Sequence, residues 1–430
     1  MKSETETATI PEPVTGEPRR VVVGEMGLAR TFSALRFRNF RLFFFGQLIS
    51  LAGTWMQNTA QGWLIYQLTG SKLLLGVVAA ASSAPMVIFS IWGGWTADHH
   101  PKRSVLVVTQ AASMLLAFAL WALVWAGIVR PWEIVVIGAL GGVVMAFDMP
   151  ARQAFMVEMT SRDDLMNAIS LNSSIVNGAR IAGPALAGLL MAQFSIAFCF
   201  FINGVSFIAV IAGLLMMRLP AHVHRVHAEG AWRQALSGFG YVRRNFTVMV
   251  LMSLFGVIGI FGWSYGVLMP AFARDVLHVS ARGYGVLLAS SGVGALAAAL
   301  VLAMAGHVLP RRVLVLGGIW LFSATLVLFA FNTNFILALI YLAISGFGMM
   351  LFFSTSNTLI QTSVSDEMRG RVMGVWTLIF GLMIPLGSLE SGALAHAIGI
   401  PWTIATGALI CAAAAGVTLL VVRRRDQAKA

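Results

Sequence analysis

Charge is scarce in this chain: Asp, Glu, Lys and Arg are 11% of its 430 residues, where soluble domains carry about 25%. That excludes an ordinary soluble domain. Cysteine is nearly absent, and Cys199 and Cys411 both fall inside long apolar runs, so neither a disulfide framework nor metal-type spacing is present. There is no His-Glu-x-x-His, no Gly-x-Ser-x-Gly, no Walker loop and no metal-spaced His/Asp cluster. An enzyme is therefore not expected, and no metal or cofactor is called for. Residues 1–30 lack an apolar core and carry Glu4, Glu6, Glu12 and Glu17, which excludes a signal peptide and reads as a disordered tail.

Apolar residues, by contrast, make up 58% of the chain. Crossing the hydrocarbon core takes roughly 20 mostly apolar residues. Runs of that kind lie near 42–67, 73–97, 104–129, 132–155, 168–192, 194–217, 247–271, 284–306, 312–331, 334–357, 373–396 and 401–422. Very short turns divide the fifth run from the sixth and the eleventh from the twelfth. The chain also reads twice. Arg38-Asn39-Phe40 recurs as Arg244-Asn245-Phe246, Gly76-Val77 as Gly285-Val286, and Pro101-Lys102-Arg103 as Pro310-Arg311-Arg312. Gly183 and Gly188 map onto Gly387 and Gly392. The expected fold is an all-α membrane protein, twelve transmembrane helices in two pseudo-symmetric six-helix bundles, an architecture of two-halved alternating-access transporters.

The net charge of +12 raises nucleic-acid binding, but the placement of the charges answers it. With twelve spans and both ends on one side, that side holds 24 of the 29 Lys and Arg. Basic flanks stay cytoplasmic, so both termini are expected inside a cell membrane and no nucleic-acid partner is expected. The expected division is a disordered cytoplasmic tail over 1–36, an N-terminal half over 37–217, a cytoplasmic linker over 218–245, a C-terminal half over 246–422, and a cytoplasmic tail over 423–430. Within the linker, Trp232 to Tyr241 suits a helix lying on the membrane surface. His222, His224 and His227 fit a solvated linker better than a metal site, since no Cys or carboxylate completes a ligand set. The expected partners are membrane lipid, a small-molecule substrate and protons, with a monomer as the assembly.

The first span carries Gln47, Ser50, Thr54, Gln57 and Gln61 at alternating steps of three and four, which places all five on one helical face. Amides facing lipid would lack partners, so this stripe should face protein or water. Interhelical glue and a water-filled cavity both satisfy that demand, and five in a row favour the cavity. The tenth span has a shorter counterpart in Ser354, Asn357 (or Thr358) and Gln361.

At the end of the second span the chain reads Gly93-Gly94-Trp95-Thr96-Ala97-Asp98-His99-His100-Pro101-Lys102-Arg103. This resembles the G-x-x-x-D-(R/K)-x-x-(R/K)-R signature of the major facilitator superfamily. Asp148-Met149-Pro150-Ala151-Arg152-Gln153-Ala154-Phe155 resembles its enterobactin-exporter-like branch of secretion effectors and drug:proton antiporters. So do Asn167-Ala168 through Asn172, Asn177-Gly178-Ala179-Arg180-Ile181-Ala182-Gly183-Pro184-Ala185-Leu186-Ala187-Gly188, Gly53-Thr54-Trp55-Met56-Gln57 and Gly62-Trp63-Leu64. The resemblance covers residues 32–422 and is specific for fold and branch, weak for substrate.

The resemblance implies that Asp98, with Gly94, Lys102 and Arg103 around it, faces the start of the eleventh span near Arg371 to Gly374. A helix N-terminus there offers free N–H groups, so the contact would latch one side of the molecule shut. A loop cap within one half is the plainer alternative. His99 stands where a basic residue is usual, making the latch pH-dependent or merely weaker, and His307 replaces Asp98 in the second copy. Asp148 and Arg152, four apart, can neutralise each other as an inner-gate salt bridge with Lys102 or Arg103; proton carriage by Asp148 is the second reading. Gly178, Gly183, Pro184 and Gly188 resemble the antiporter motif with one extra residue between Gly178 and Gly183. They read as close packing, as a hinge, or as both.

Arg180 and Glu390 are the charges deepest within spans, where Arg, Lys or Asp costs about 2.5–3.5 kcal/mol even on a lenient scale. Glu390 is the leading proton-coupling candidate because desolvation disfavours its charged form. Arg180 suits an anionic substrate group or a carbonyl network. Cavity-lining spans 1, 4, 7 and 10 are implied by the resemblance, with Trp55, Trp63, Phe261, Trp263 and Phe352 as apolar contacts. The leading expectation is a proton-coupled exporter of a small amphiphilic compound, a drug-like molecule or siderophore. A same-fold importer or lipid flippase is the alternative, and a non-transporting sensor or scaffold the more distant one, since the linker is too short for an output domain.

Overall fold

The long apolar runs become helices because a backbone in hydrocarbon has to satisfy every N–H and C=O within its own segment. The computed structural model describes residues 33–160, 164–218, 231–306 and 308–428. The tail over 1–32, Arg162, the three linker histidines and His307 lie outside the described residues. Among the described residues there are helices and no strands. The N-terminal set is α1 Arg38–Thr69, α2 Lys72–His99, α3 Lys102–Trp125, α4 Pro131–Met159, α5 Leu165–Gln193 and α6 Ile196–Met216. A short helix, Ala231–Arg244, lies within the linker. The C-terminal set begins with α7, whose arms Phe246–Val257 and Ser264–Asp275 flank a wide turn, Ile258–Gly262. Then come α8 Ala281–Ala305, α9 Arg311–Ala330, α10 Phe335–Ser363, α11 Asp366–Ile398 and α12 Ile400–Gln427.

The breaks between helices carry their own chemistry. The side chains of Ser71, Ser195, Asn245 and Asn334 accept the orphan N–H groups that open α2, α6, α7 and α10. Gly399 joins α11 to α12 at φ +88°, a backbone conformation that glycine adopts without strain. The two short-turn divisions, at Phe194-Ser195 and at Gly399, therefore fall where the sequence placed them.

Eleven of these helices are long and apolar enough to cross a membrane. The twelfth, α1, spans 32 residues but is diluted by its polar stripe, and it packs against α5 and α6. Within the first half α2 also packs on α4 and α3 on α6; within the second, α8 and α9 pack on α10, and α9 on α12. The halves meet along α2 with α11 and α5 with α8.

The packing overturns two expectations. Ser33–Arg36, placed in the tail, is a helical turn pinned to the start of α5: Ser33 Oγ and Arg36 Nη2 donate to the Asp164 carboxylate at 2.7 and 2.5 Å. Phe352 does not line a cavity. It is 1% exposed, packed beside Phe255, whose ring stacks on Trp376.

Candidate functional site

Four glycines that mark the internal repeat turn out to touch each other crosswise. Gly76 on α2 abuts Gly392 on α11, and a Cβ at Gly76 would meet the Ser388 carbonyl and sit 3.0 Å from Gly392 Cα. Its copy, Gly285 on α8, abuts Gly188 on α5, where a Cβ would sit 2.5 Å from the Pro184 carbonyl and 2.8 Å from Gly188 Cα. Gly188 is the copy of Gly392, so each half presents the same pair of surfaces to the other. This is the self-complementary contact expected of two-fold symmetry. The obstructing atoms are backbone, so the approach tolerates no side chain.

Both seams are tight near the face opposite the chain termini and part toward the face that carries them. On α11, Gly381 touches Val87 of α2, while Thr377, Gly374 and Gly370 on the same stripe are exposed. On α2, Ile91 and Asp98 are exposed and a Cβ at Gly94 would meet nothing. On α5, Ile181 touches Gly292 of α8, yet Gly178, Ser174 and Ser170 beyond it are exposed. The cleft thus opens at the termini face. Aromatic and polar contacts close the other end: Trp63 stacks on Tyr284 with centroids 5.5 Å apart, and the Tyr66 hydroxyl donates to Asp275.

With the cleft open, Asp98 is exposed and makes no hydrogen bond or ion pair, so the expected contact with α11 is not formed in this arrangement. His99 stacks on Trp95 and pairs with that residue's carbonyl at 2.8 Å, held by its own helix.

The polar stripe of α1 differs from a simple cavity wall. Gln47 accepts from Arg152 of α4 at 2.5 Å, and Gln57 accepts from Asn203 of α6 at 2.7 Å. Ser50 and Gln61 are buried, Gln61 against Gly138 of α4, and the Thr54 hydroxyl donates to the Ser50 carbonyl. The amides join α1 to its neighbours because a buried amide needs partners and facing helices supply them. In α10, Asn357 accepts from Gln361 at 2.6 Å.

Asp148 and Arg152 form their pair, but Lys102 and Arg103 do not join it. Lys102 reaches Glu158 at 2.6 Å and Arg103 donates to the carbonyls of Leu215 and Met217. Asp148, 3% exposed, instead accepts from Thr109 at 2.8 Å and Gln110 at 2.7 Å. Removing one member of a buried pair strands the other charge, at about 3–5 kcal/mol. Asp148→Ala is therefore expected to destabilise the protein by that amount. Adding Arg152→Gln is expected to restore much of it, which thermal unfolding of the two single variants and the double variant would measure.

Arg180 lies near the middle of α5 with its guanidinium 5.5 Å from the Trp55 ring. It meets no carboxylate, Glu390 included. Glu390 is half-buried on α11, with the Ser391 hydroxyl at 3.4 Å and Cys411 of α12 nearby. One turn away, Gly387 presses on Ile260, inside the wide turn of α7 that ends beside Trp263. That turn was missed from sequence, although Gly256, Gly259 and Gly262 repeat every third residue there. Isolated π-turns of this sort collect at functional positions.

The model of the transmembrane secretion effector family matches residues 29–430. The chain belongs to this family. Among relatives, the staphyloferrin A transporter of Staphylococcus aureus is 25% identical over 369 residues, 84% of this chain and 90% of that one. The multidrug efflux pump Tap of Mycolicibacterium fortuitum is 27% identical over 372 residues, with the same coverage. In structure, the chain is similar to a bacterial homologue of the human lysosomal transporter Spinster in an inward-facing, unoccupied conformation. The TM-score is 0.71 at 12% identity, covering 90% of this chain and 97% of that one. The fold is that of the major facilitator superfamily. The family and these relatives are transporters, not enzymes, and the chain is a multi-pass membrane protein.

Proposed function

We propose that this protein is a proton-coupled secondary exporter that carries a small amphiphilic compound by rocking its two halves. The halves are residues 33–217 and 246–422, joined by a cytoplasmic linker over 218–245, with cytoplasmic tails at 1–32 and 423–430. The observation that carries the proposal is the crossed glycine seam. It is shut at one face and splayed at the other, and it is the same contact in both halves. Such a seam lets two rigid bundles pivot without breaking either bundle's own core. Relatives whose names describe efflux support the outward direction. The basic asymmetry supports termini, and hence the open face, in the cytoplasm. The unit is a monomer in the cell membrane.

In this mechanism Asp98 docks on the N-terminus of α11 when the cleft closes, with Gly94 as the point of approach, and Glu390 carries the proton. Asp148, tied to Arg152, Thr109 and Gln110, holds α3 and α4 together. Proton-driven efflux in sealed vesicles of reversed orientation tests the assignment. Absence of any flux at normal insertion would overturn it.

Two further results are expected. In intact cells, single cysteines at Ser3, Ser237 and Gln427 should resist an impermeant thiol reagent, and labelling at Ser237 alone would overturn the six-plus-six division. Asp98→Asn should weaken the closed cytoplasmic gate and lower transport at equal expression. The charge–helix term lost is about 0.3–1 kcal/mol when exposed and up to ~2 when partly buried. Unchanged transport at equal expression would count against the latch.

A further inference from the structure

The deepest cation of the first half has nothing to neutralise it. Arg180 sits 15 residues into a 29-residue helix, close to mid-membrane at 1.5 Å per residue. It makes no hydrogen bond or ion pair, and its Nε is buried without an acceptor. A charge left this way in hydrocarbon is costly unless something else answers it. Its surroundings draw on both halves. Trp55 of α1 supplies a ring face 5.5 Å from the guanidinium, held there because Gly183, one turn along α5, lies against Trp55 Cβ. From the other half, Gly292 of α8 presses on Ile181, so the stretch of α8 that carries Ser291 lies against the stretch of α5 that carries Arg180. Tyr265 of α7 places its hydroxyl 3.2 Å from Ser291 Oγ.

We infer that Arg180, Trp55, Tyr265 and Ser291 form the substrate subsite, and that its ligand is an amphiphile bearing a carboxylate. This rests on the exporter reading above. A planar guanidinium offers paired N–H donors that match a carboxylate. The tryptophan face supports the apolar part of the ligand beside the charge. Hydroxyls from the C-terminal half add neutral donors and no competing negative charge. The position suits alternating access, because a ligand bridging α1 and α5 to α7 and α8 touches both bodies at the closed end of the cleft.

The test uses the purified full chain in lipid nanodiscs and two probes of one shape, 1-pyrenebutanoate and its uncharged amide, followed by tryptophan fluorescence quenching. The wild type should bind the carboxylate at least about tenfold more tightly than the amide, the scale of one charge-assisted hydrogen bond. Arg180→Gln should bind both alike, and Arg180→Lys should keep part of the preference. Trp55→Ala should weaken both probes by the same factor. Equal binding of the probes by the wild type, binding of neither, or an undiminished preference in Arg180→Gln would overturn the inference. Vesicle flux reads the exporter assignment separately. Proton-driven flux without carboxylate preference keeps the exporter and sinks this subsite, whereas the preference without flux keeps the subsite and sinks the exporter.

Discussion

Replacing Gly285 with valine is expected to abolish transport while the chain still folds and inserts. A Cβ there would lie 2.5 Å from the Pro184 carbonyl oxygen and 2.8 Å from Gly188 Cα. Both are backbone atoms, so relief requires α5 and α8 to separate rather than a side chain to turn aside. Overpacking of this kind costs about 1–3 kcal/mol, too little to unfold a twelve-helix bundle but enough to depopulate the arrangement in which the seam is shut. Gly76→Val should do the same at α2 and α11, since the contact is its copy, and the alanine variants should fall between. Vesicle efflux at matched expression measures the rate, and cysteine accessibility at the outer end of the cleft measures whether the seam still closes. A valine variant that transports at the wild-type rate would remove the seam from the mechanism.

Glu390→Gln is expected to abolish uphill, proton-driven efflux while leaving downhill exchange and substrate binding. The substitution keeps the shape of the side chain and removes its titration. Glu390 has no cation beside it; its neighbours are the Ser391 hydroxyl at 3.4 Å and the Cys411 thiol. A carboxyl group so placed can change protonation without breaking a salt bridge, whereas Asp148 is held by Arg152, Thr109 and Gln110. Its position also gives the change a lever, since Gly387, one turn earlier, bears on the wide turn of α7. The gradient formed by vesicles under an imposed pH difference decides the matter. A Gln variant that builds the normal gradient makes Glu390 structural and turns attention to Asp148.

The sequence carried much of this protein openly. Twelve long helices, eleven of them apolar enough to cross a membrane, the internal repeat and the short turns at Ser195 and Gly399 follow from apolar length and from residues that recur at matching positions, because a bilayer imposes its thickness on the segments that cross it. The repeated glycines were visible too, as Gly76 with Gly285 and Gly188 with Gly392. Their crossed contact was not, since a repeat shows which residues correspond and not which of them touch. The stripe on α1 shows the same limit. Periodicity put Gln47 and Gln57 on one face, but which neighbour each amide would meet depended on where α4 and α6 come to lie. Lys102 and Arg103 were drawn to Glu158 and to the end of α6 for a similar reason: distance in space, not in sequence, selects an ion's partner.

What the chain determined by itself is therefore its one-dimensional chemistry: where it spans, where it turns, which charges are buried, and that it is built twice. Only the packing of one half on the other decided that the small residues meet crosswise, that the cleft opens at the termini face, and that Arg180 stands without an ion pair beside the Trp55 ring. Those features are relations between surfaces brought together from opposite halves of the chain, and they exist only once both bundles have folded and docked.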